Sequence, residues 1–137
     1  MAIDPPTPEV SGKALWLSYV LSGLPVLALV LSAVMKFMQP PAVVQGFAHL
    51  GYGVSAAFTL GVLEVACTVV YLVPRTSILG AILLTGYLGG ATASTFRVGD
   101  SWIAGVLLGI MLWAALFLRE PRLRVLIPIR GKPGANA

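Results

Sequence analysis

Charge, cysteine and histidine are what this chain has least of. Only 10% of its 137 residues are charged, against about a quarter in ordinary soluble domains. Cys67 is the sole cysteine, which excludes a disulfide framework or a CxxC redox pair within the chain. Its place inside an apolar run suits a small buried hydrophobe. His49 is the sole histidine, so no pair of imidazoles exists to ligate a haem, and no second ligand stands at metal-binding spacing. Nucleophile elbows, phosphate loops and Ser-His-Asp sets are also absent. The chain reads as non-catalytic rather than as an enzyme, with no metal site and no certain cofactor.

What it has is hydrophobic length. Apolar residues make up 58% of the chain and the mean hydropathy is +0.92. Four apolar runs stand out: Ala14 to Val34, Gly53 to Val73, Ile78 to Ala93 and Trp102 to Leu118. Each approaches the length that crosses a hydrocarbon layer about 30 Å thick, the third being the shortest. The expected fold is an all-α membrane protein, a bundle of four transmembrane helices. Its spans cover about residues 14–38, 53–73, 77–95 and 101–118, within a domain at 13–119. Residues 1–12 are expected to form a disordered cytoplasmic leader and residues 120–137 a basic cytoplasmic tail.

The first run is a retained span rather than a secretion signal. It is 21 residues long and follows Asp4 and Glu9 against only Lys13, whereas signal cores run about 7–15 residues behind a basic lead. Ser11 or Gly12 is placed to cap it, and Pro25 is expected to kink it near its middle. Pro40-Pro41 ends it. The stretch from Ala42 to Tyr52 is too short to span and reads as an interfacial helix joining spans one and two.

Basic residues set the orientation. Lys13, Arg75, Arg119, Arg122, Arg124, Arg130 and Lys132 fall on one side, and only Lys36 and Arg97 on the other. That bias places both termini in the cytoplasm, with the tail against anionic headgroups. The tail lacks interleaved aromatics, so nucleic acid is not an expected partner.

Helix faces point inward where small and weakly polar residues recur. On the second span Gly53, Ala57, Gly61, Glu64, Thr68 and Tyr71 share one side, opposite Phe58, Leu63 and Val70. Ser18, Ser22, Pro25, Ser32 and Lys36 make a stripe on the first span, and Thr85, Gly89 and Thr92 one on the third. The three stripes imply a moderately polar seam. Gly86/Gly90 and Gly105/Gly109 are GxxxG pairs on consecutive spans, favouring a tight helix pair between them.

Glu64 is the one carboxylate inside a span, and an ionisable group at that depth faces protein or water. One reading makes it a neutral carboxyl hydrogen-bonded to a Ser, Thr or Tyr of a neighbouring helix. The other has it hold a quinone, another lipophilic ligand or a proton, with Tyr71 or Tyr87 beside it. Lys36 is the available counter-charge and is grouped with Glu64, Thr68, Tyr71 and Tyr87 in the expected seam. Direct contact with Glu64 needs a deeper Lys36 or a tilted helix. If the first helix ends near Met38, Lys36 lies close to the rim, with a stem long enough to snorkel to the headgroups. At ~1.5 Å per residue Glu64 then lies ~15 Å deeper. His49, Arg97 and Asp100 belong to the outer rim, where Arg97 and Asp100 are expected to brace the turn as an exposed pair.

Several segments together resemble the DoxX-like family of small bacterial membrane proteins. They are Ser32-Ala-Val-Met-Lys36, Gly46-Phe-Ala-His-Leu-Gly-Tyr52, Leu60-Gly-Val-Leu-Glu64, Pro74-Arg75, Leu84-Thr-Gly-Tyr-Leu-Gly-Gly-Ala-Thr-Ala93 and Arg97-Val-Gly-Asp100, in the family's order over about residues 14–118. The resemblance implies a four-helix bundle in the bacterial inner membrane. It also implies an association with membrane redox systems, because relatives include the small subunit of a thiosulfate:quinone oxidoreductase. The family's polar positions fall on Lys36, His49, Glu64, Arg97 and Asp100. A histidine that relatives often carry before the Arg-x-Gly-Asp turn is replaced by Thr95-Phe96, which argues against a metal or proton relay at the rim.

Three functions follow as expectations. The favoured one is a non-catalytic subunit or scaffold of a larger redox-related membrane complex, its partners being lipid and other membrane subunits or a second copy. The alternatives are a quinone-linked oxidoreductase subunit and a small transporter or proton pathway. No cofactor is certain; quinone or lipid is the ligand that the binding reading of Glu64 allows.

Overall fold

The computed structural model describes residues 9–126, and every regular element among them is a helix. Helix α1 (Gly12–Met38) is followed by the short α2 (Pro41–His49), then α3 (Val54–Leu72), α4 (Ser77–Arg97), α5 (Ile103–Arg119) and the one-and-a-half-turn α6 (Pro121–Leu126). Residues 1–8 of the expected leader, and Arg130 and Lys132 of the expected tail, lie outside the described residues.

Helices α1, α3, α4 and α5 form the bundle. Each packs against two neighbours, in the cyclic order α1, α3, α4, α5, and successive spans run antiparallel. Helices α1, α3 and α4 are long and apolar enough to cross a membrane, while α5 is apolar but only 17 residues long. The third span is therefore not the short one. Helix α4 runs through Arg97, past its apolar stretch, and the Ser94 and Thr95 hydroxyls donate back to the Gly90, Ala91 and Thr92 carbonyls.

Local chemistry fixes the helix ends. The Ser11 hydroxyl accepts from the Ala14 amide at 3.2 Å and caps α1. Gln39, in the left-handed conformation at φ 48°, ends it ahead of Pro40-Pro41. Helix α1 continues without interruption through Pro25, which lies buried in the bundle. At the α3–α4 turn the Thr76 hydroxyl donates to the Val70 carbonyl (2.8 Å) and Ser77 donates to the Tyr71 (2.9 Å) and Val73 (3.0 Å) carbonyls. These bonds satisfy acceptors that the end of a helix leaves open. Arg124 of α6 does the same for α5, reaching the Phe117 and Leu118 carbonyls at 2.9 Å.

The core is narrow. Leu29, Cys67, Tyr71, Leu84, Leu112 and Leu116 fill it, while large apolar residues such as Leu24, Leu27, Phe58, Val69 and Ile82 point outward. That outward surface is lipid-facing, as a membrane bundle requires. On α3 the buried side is Ala57, Gly61, Glu64, Cys67, Thr68 and Tyr71, and on α1 it is Ser18, Ser22, Pro25, Leu29 and Ala33. Both match the spacing of the small and polar residues.

The closest helix crossing lies elsewhere than the GxxxG pairs suggest. A Cβ on Gly80 would collide with the backbone of Tyr71, so α3 and α4 touch main chain to main chain there. A Cβ on Gly105 would run into the Thr92 hydroxyl, and one on Gly109 would stand 3.9 Å from Leu88 Cδ1. Gly86 and Gly90 meet nothing within 4 Å and do not hold α4 to α5. They point toward the α3 side of α4, whereas Gly105 packs against the side that carries Leu88 and Thr92.

Candidate functional site

The expected distance between Lys36 and Glu64 is absent. Lys36 Nζ lies 2.8 Å from Glu64 Oε2, with side-chain exposures of 13% and 2%. The reason is that α1 and α3 do not end at one level. A Cβ on Gly61 would stand 3.3 Å from Lys36 Cβ, so the last turn of α1 sits beside Gly61, seven residues into α3. At ~1.5 Å per residue that is ~10 Å below the start of α3. Lys36 then reaches inward, one turn further along α3, rather than out to the headgroups.

Helix α2 fills the space above the shortened α1. It packs on α3, and none of its residues is fully buried. Arg97 at the end of α4 donates to the Leu50 carbonyl and so ties the end of α2 to the bundle. Gly51, at φ 83°, follows immediately, and a side chain there would be strained and would abut the Arg97 guanidinium. Asp100 does not pair with Arg97. It lies 3.3 Å from His49 Nε2, and this pair is exposed on both sides. The rim residues therefore link three elements instead of bracing one turn.

Around the buried pair, Ser32 accepts from Lys36 one turn back on α1, and the Tyr87 ring centroid is 5.9 Å from Nζ. The Tyr87 phenol neighbours the Glu64 carboxylate. Thr68 does not join them: its hydroxyl donates to the Glu64 backbone carbonyl at 2.7 Å. Tyr71 is two turns away, where its hydroxyl donates to the Leu112 carbonyl (3.1 Å) under the Arg119 guanidinium. It ties α3 to α5 across the bundle. Of the expected seam residues, the structure brings together Lys36, Glu64 and Tyr87, with Ser32 from the α1 stripe, and leaves Thr68 and Tyr71 outside.

The third stripe also faces elsewhere. Thr85, Gly89 and Thr92 line an open groove of about 640 Å³ between α4 and α5, away from Glu64. Trp113 donates to the Thr85 hydroxyl there at 2.7 Å. Helical spacing puts Thr85, Gly89 and Thr92 on one face, but only the neighbour's position decides that this face looks outward.

Two cavities flank Lys36. One of about 370 Å³ lies between α3 and α4 beneath α2, with Leu60, Leu63, Gly86, Gly90 and Tyr87 in its wall. The other, about 300 Å³, includes Ser32, His49 and Asp100. Phe47, Leu50 and Thr95 belong to both. Sequence reasoning overlooked Phe47 and the Tyr52–Ser94 hydroxyl pair (2.8 Å) at the cavity's edge. Phe47 and Tyr52 do stand in the Gly46–Tyr52 segment, and Ser94 follows the third-span motif directly. Among the described residues no group of three or more His, Cys, Asp and Glu is placed to hold a metal ion.

Neither the curated proteins nor the solved structures offer a match to this chain. The DoxX-like family does, over residues 20–118, a stretch that takes in Lys36, Glu64 and Tyr87 as well as His49, Arg97 and Asp100. A four-helix apolar bundle of this composition contacts lipid directly, and the chain is a small integral membrane protein that belongs to the DoxX-like family.

Proposed function

We propose that this protein is a non-catalytic subunit of a larger, redox-related assembly in the bacterial inner membrane, with both termini cytoplasmic. The observation that carries this reading is the α4–α5 groove. It is apolar, about 640 Å³ in volume, and floored by Gly89, Gly105 and Gly109, with no element of this chain among the described residues laid across it. A groove with glycines at its base lets another helix approach closely, which is how spans associate in lipid, where apolar burial gives little drive. A transmembrane helix of a partner subunit is the occupant that suits it. The seven-to-two bias of basic residues supports the orientation.

The test is crosslinking in native membranes. A cysteine at Ala114, on the groove wall, is expected to yield an adduct with a subunit of an electron-transfer complex, lost when Gly109→Leu fills the groove. A protein that stays a lone monomer, with no Ala114-dependent adduct, removes the reading.

A further inference from the structure

The ammonium of Lys36 has three N–H donors. Ser32 and Glu64 take two of them, and no acceptor among the described residues takes the third. Lys36 also lines the 370 Å³ cavity between α3 and α4, so an unspent donor stands at the wall of a mostly apolar chamber.

Charge selects the acceptor. Glu64 already balances Lys36, and at the rim Arg97 and Asp100 balance each other in number. An anionic headgroup brought to Lys36 would leave an unpaired negative charge beside Glu64, in surroundings that solvate it poorly. A neutral oxygen brings no such charge. Leu60, Leu63 and Phe47 supply apolar surface for the rest of the molecule, and Tyr52 with Ser94 gives a second polar contact at the edge.

The cavity explains two glycines that pack against nothing. A Cβ on Gly86 or Gly90 would meet no atom within 4 Å, because the space in front of them is the chamber. Any larger side chain there would fill it.

We infer that this chamber binds a neutral, carbonyl-bearing lipophile, its oxygen accepting a hydrogen bond from Lys36 Nζ and its apolar body lying against Gly86 and Gly90. A quinone and a glycerolipid ester share this chemistry. The chamber and the α4–α5 groove lie on different faces of α4, so the inference stands apart from the subunit reading.

Binding to the purified full chain in nanodiscs tests it, with a decyl-substituted benzoquinone, monodecanoylglycerol and decanoate as probes. At least one neutral probe is expected to bind saturably, and decanoate at least tenfold more weakly. Preference for the benzoquinone or for the glyceride identifies the source. Gly90→Leu should weaken the bound neutral probe tenfold or more while the thermal unfolding midpoint is kept, since its Cβ meets no protein atom within 4 Å and the rest of the side chain enters the chamber. Lys36→Met should weaken it similarly. Equal or tighter decanoate binding overturns the inference. So does undiminished binding by Gly90→Leu, or the lack of saturable binding of either neutral probe.

Discussion

Lys36 near the end of α1 and Glu64 in the middle of α3 are joined at 2.8 Å, although 28 residues and the whole of α2 separate them in sequence. The contact exists because α1 stops a level below the start of α3 and α2 occupies the vacated layer. Membrane helices whose ends are flush would leave the two groups out of each other's reach.

Breaking this pair on one side leaves a buried charge. Lys36→Met or Glu64→Leu alone is expected to cost about 3–5 kcal/mol, whereas the double substitution recovers most of that loss. Reversible unfolding in mixed micelles gives the three values needed for the cycle. If the double variant is as unstable as the sum of the singles, the pair is not coupled.

Gly80→Ala is expected to be among the most damaging small changes in the chain. The added methyl would meet the Tyr71 backbone, which cannot rotate away as a side chain does. Overpacking of this kind costs about 1–3 kcal/mol, and more where the contact is main chain. Gly86→Ala has open space in front of it and should leave the unfolding midpoint unchanged or slightly raised. Comparing the two melts separates a packing glycine from a cavity glycine.

Tyr71→Phe removes one hydrogen bond from α3 to the Leu112 carbonyl while keeping the ring under Arg119. Interhelical bonds of this kind average about 0.6 kcal/mol in a membrane protein. A small loss of stability with unchanged ligand binding is expected, because Tyr71 is two turns along α3 from Glu64. A large loss of binding in this variant would show that Tyr71 belongs to the site.

Arg97→Gln withdraws the guanidinium that holds the Leu50 carbonyl. The amides of α2 should then exchange with deuterium faster than in the parent, while those of α3 and α5 keep their protection. Asp100→Asn breaks only the exposed contact with His49 and should leave α2 exchange close to the parent's. Acceleration in Asp100→Asn but not in Arg97→Gln would mean that the rim pair, and not Arg97, fastens α2.

Much of the fold was legible from residue type and spacing. Four apolar runs separated by Pro40-Pro41, Pro74-Arg75 and Arg97-Val-Gly-Asp100 define the helices, since only a helix satisfies its own backbone in lipid. The three-and-four spacing of Ala57, Gly61, Glu64, Thr68 and Tyr71 identifies the buried side of α3, because the helix repeat turns sequence position into direction. The exclusion of disulfides needed nothing beyond the cysteine count.

Relative height and neighbour identity were settled only by the tertiary structure. Spacing along one helix says which residues share a face, but not how far that helix slides against the next. That offset makes Lys36 a partner of Glu64 rather than a rim lysine. The neighbours likewise decide that Gly86 and Gly90 face a cavity, that Gly80 meets the Tyr71 backbone, and that Asp100 pairs with His49 while Arg97 takes Leu50. Each of these depends on how one element is set against another, a geometry fixed by how rigid helices and their connections fill space together.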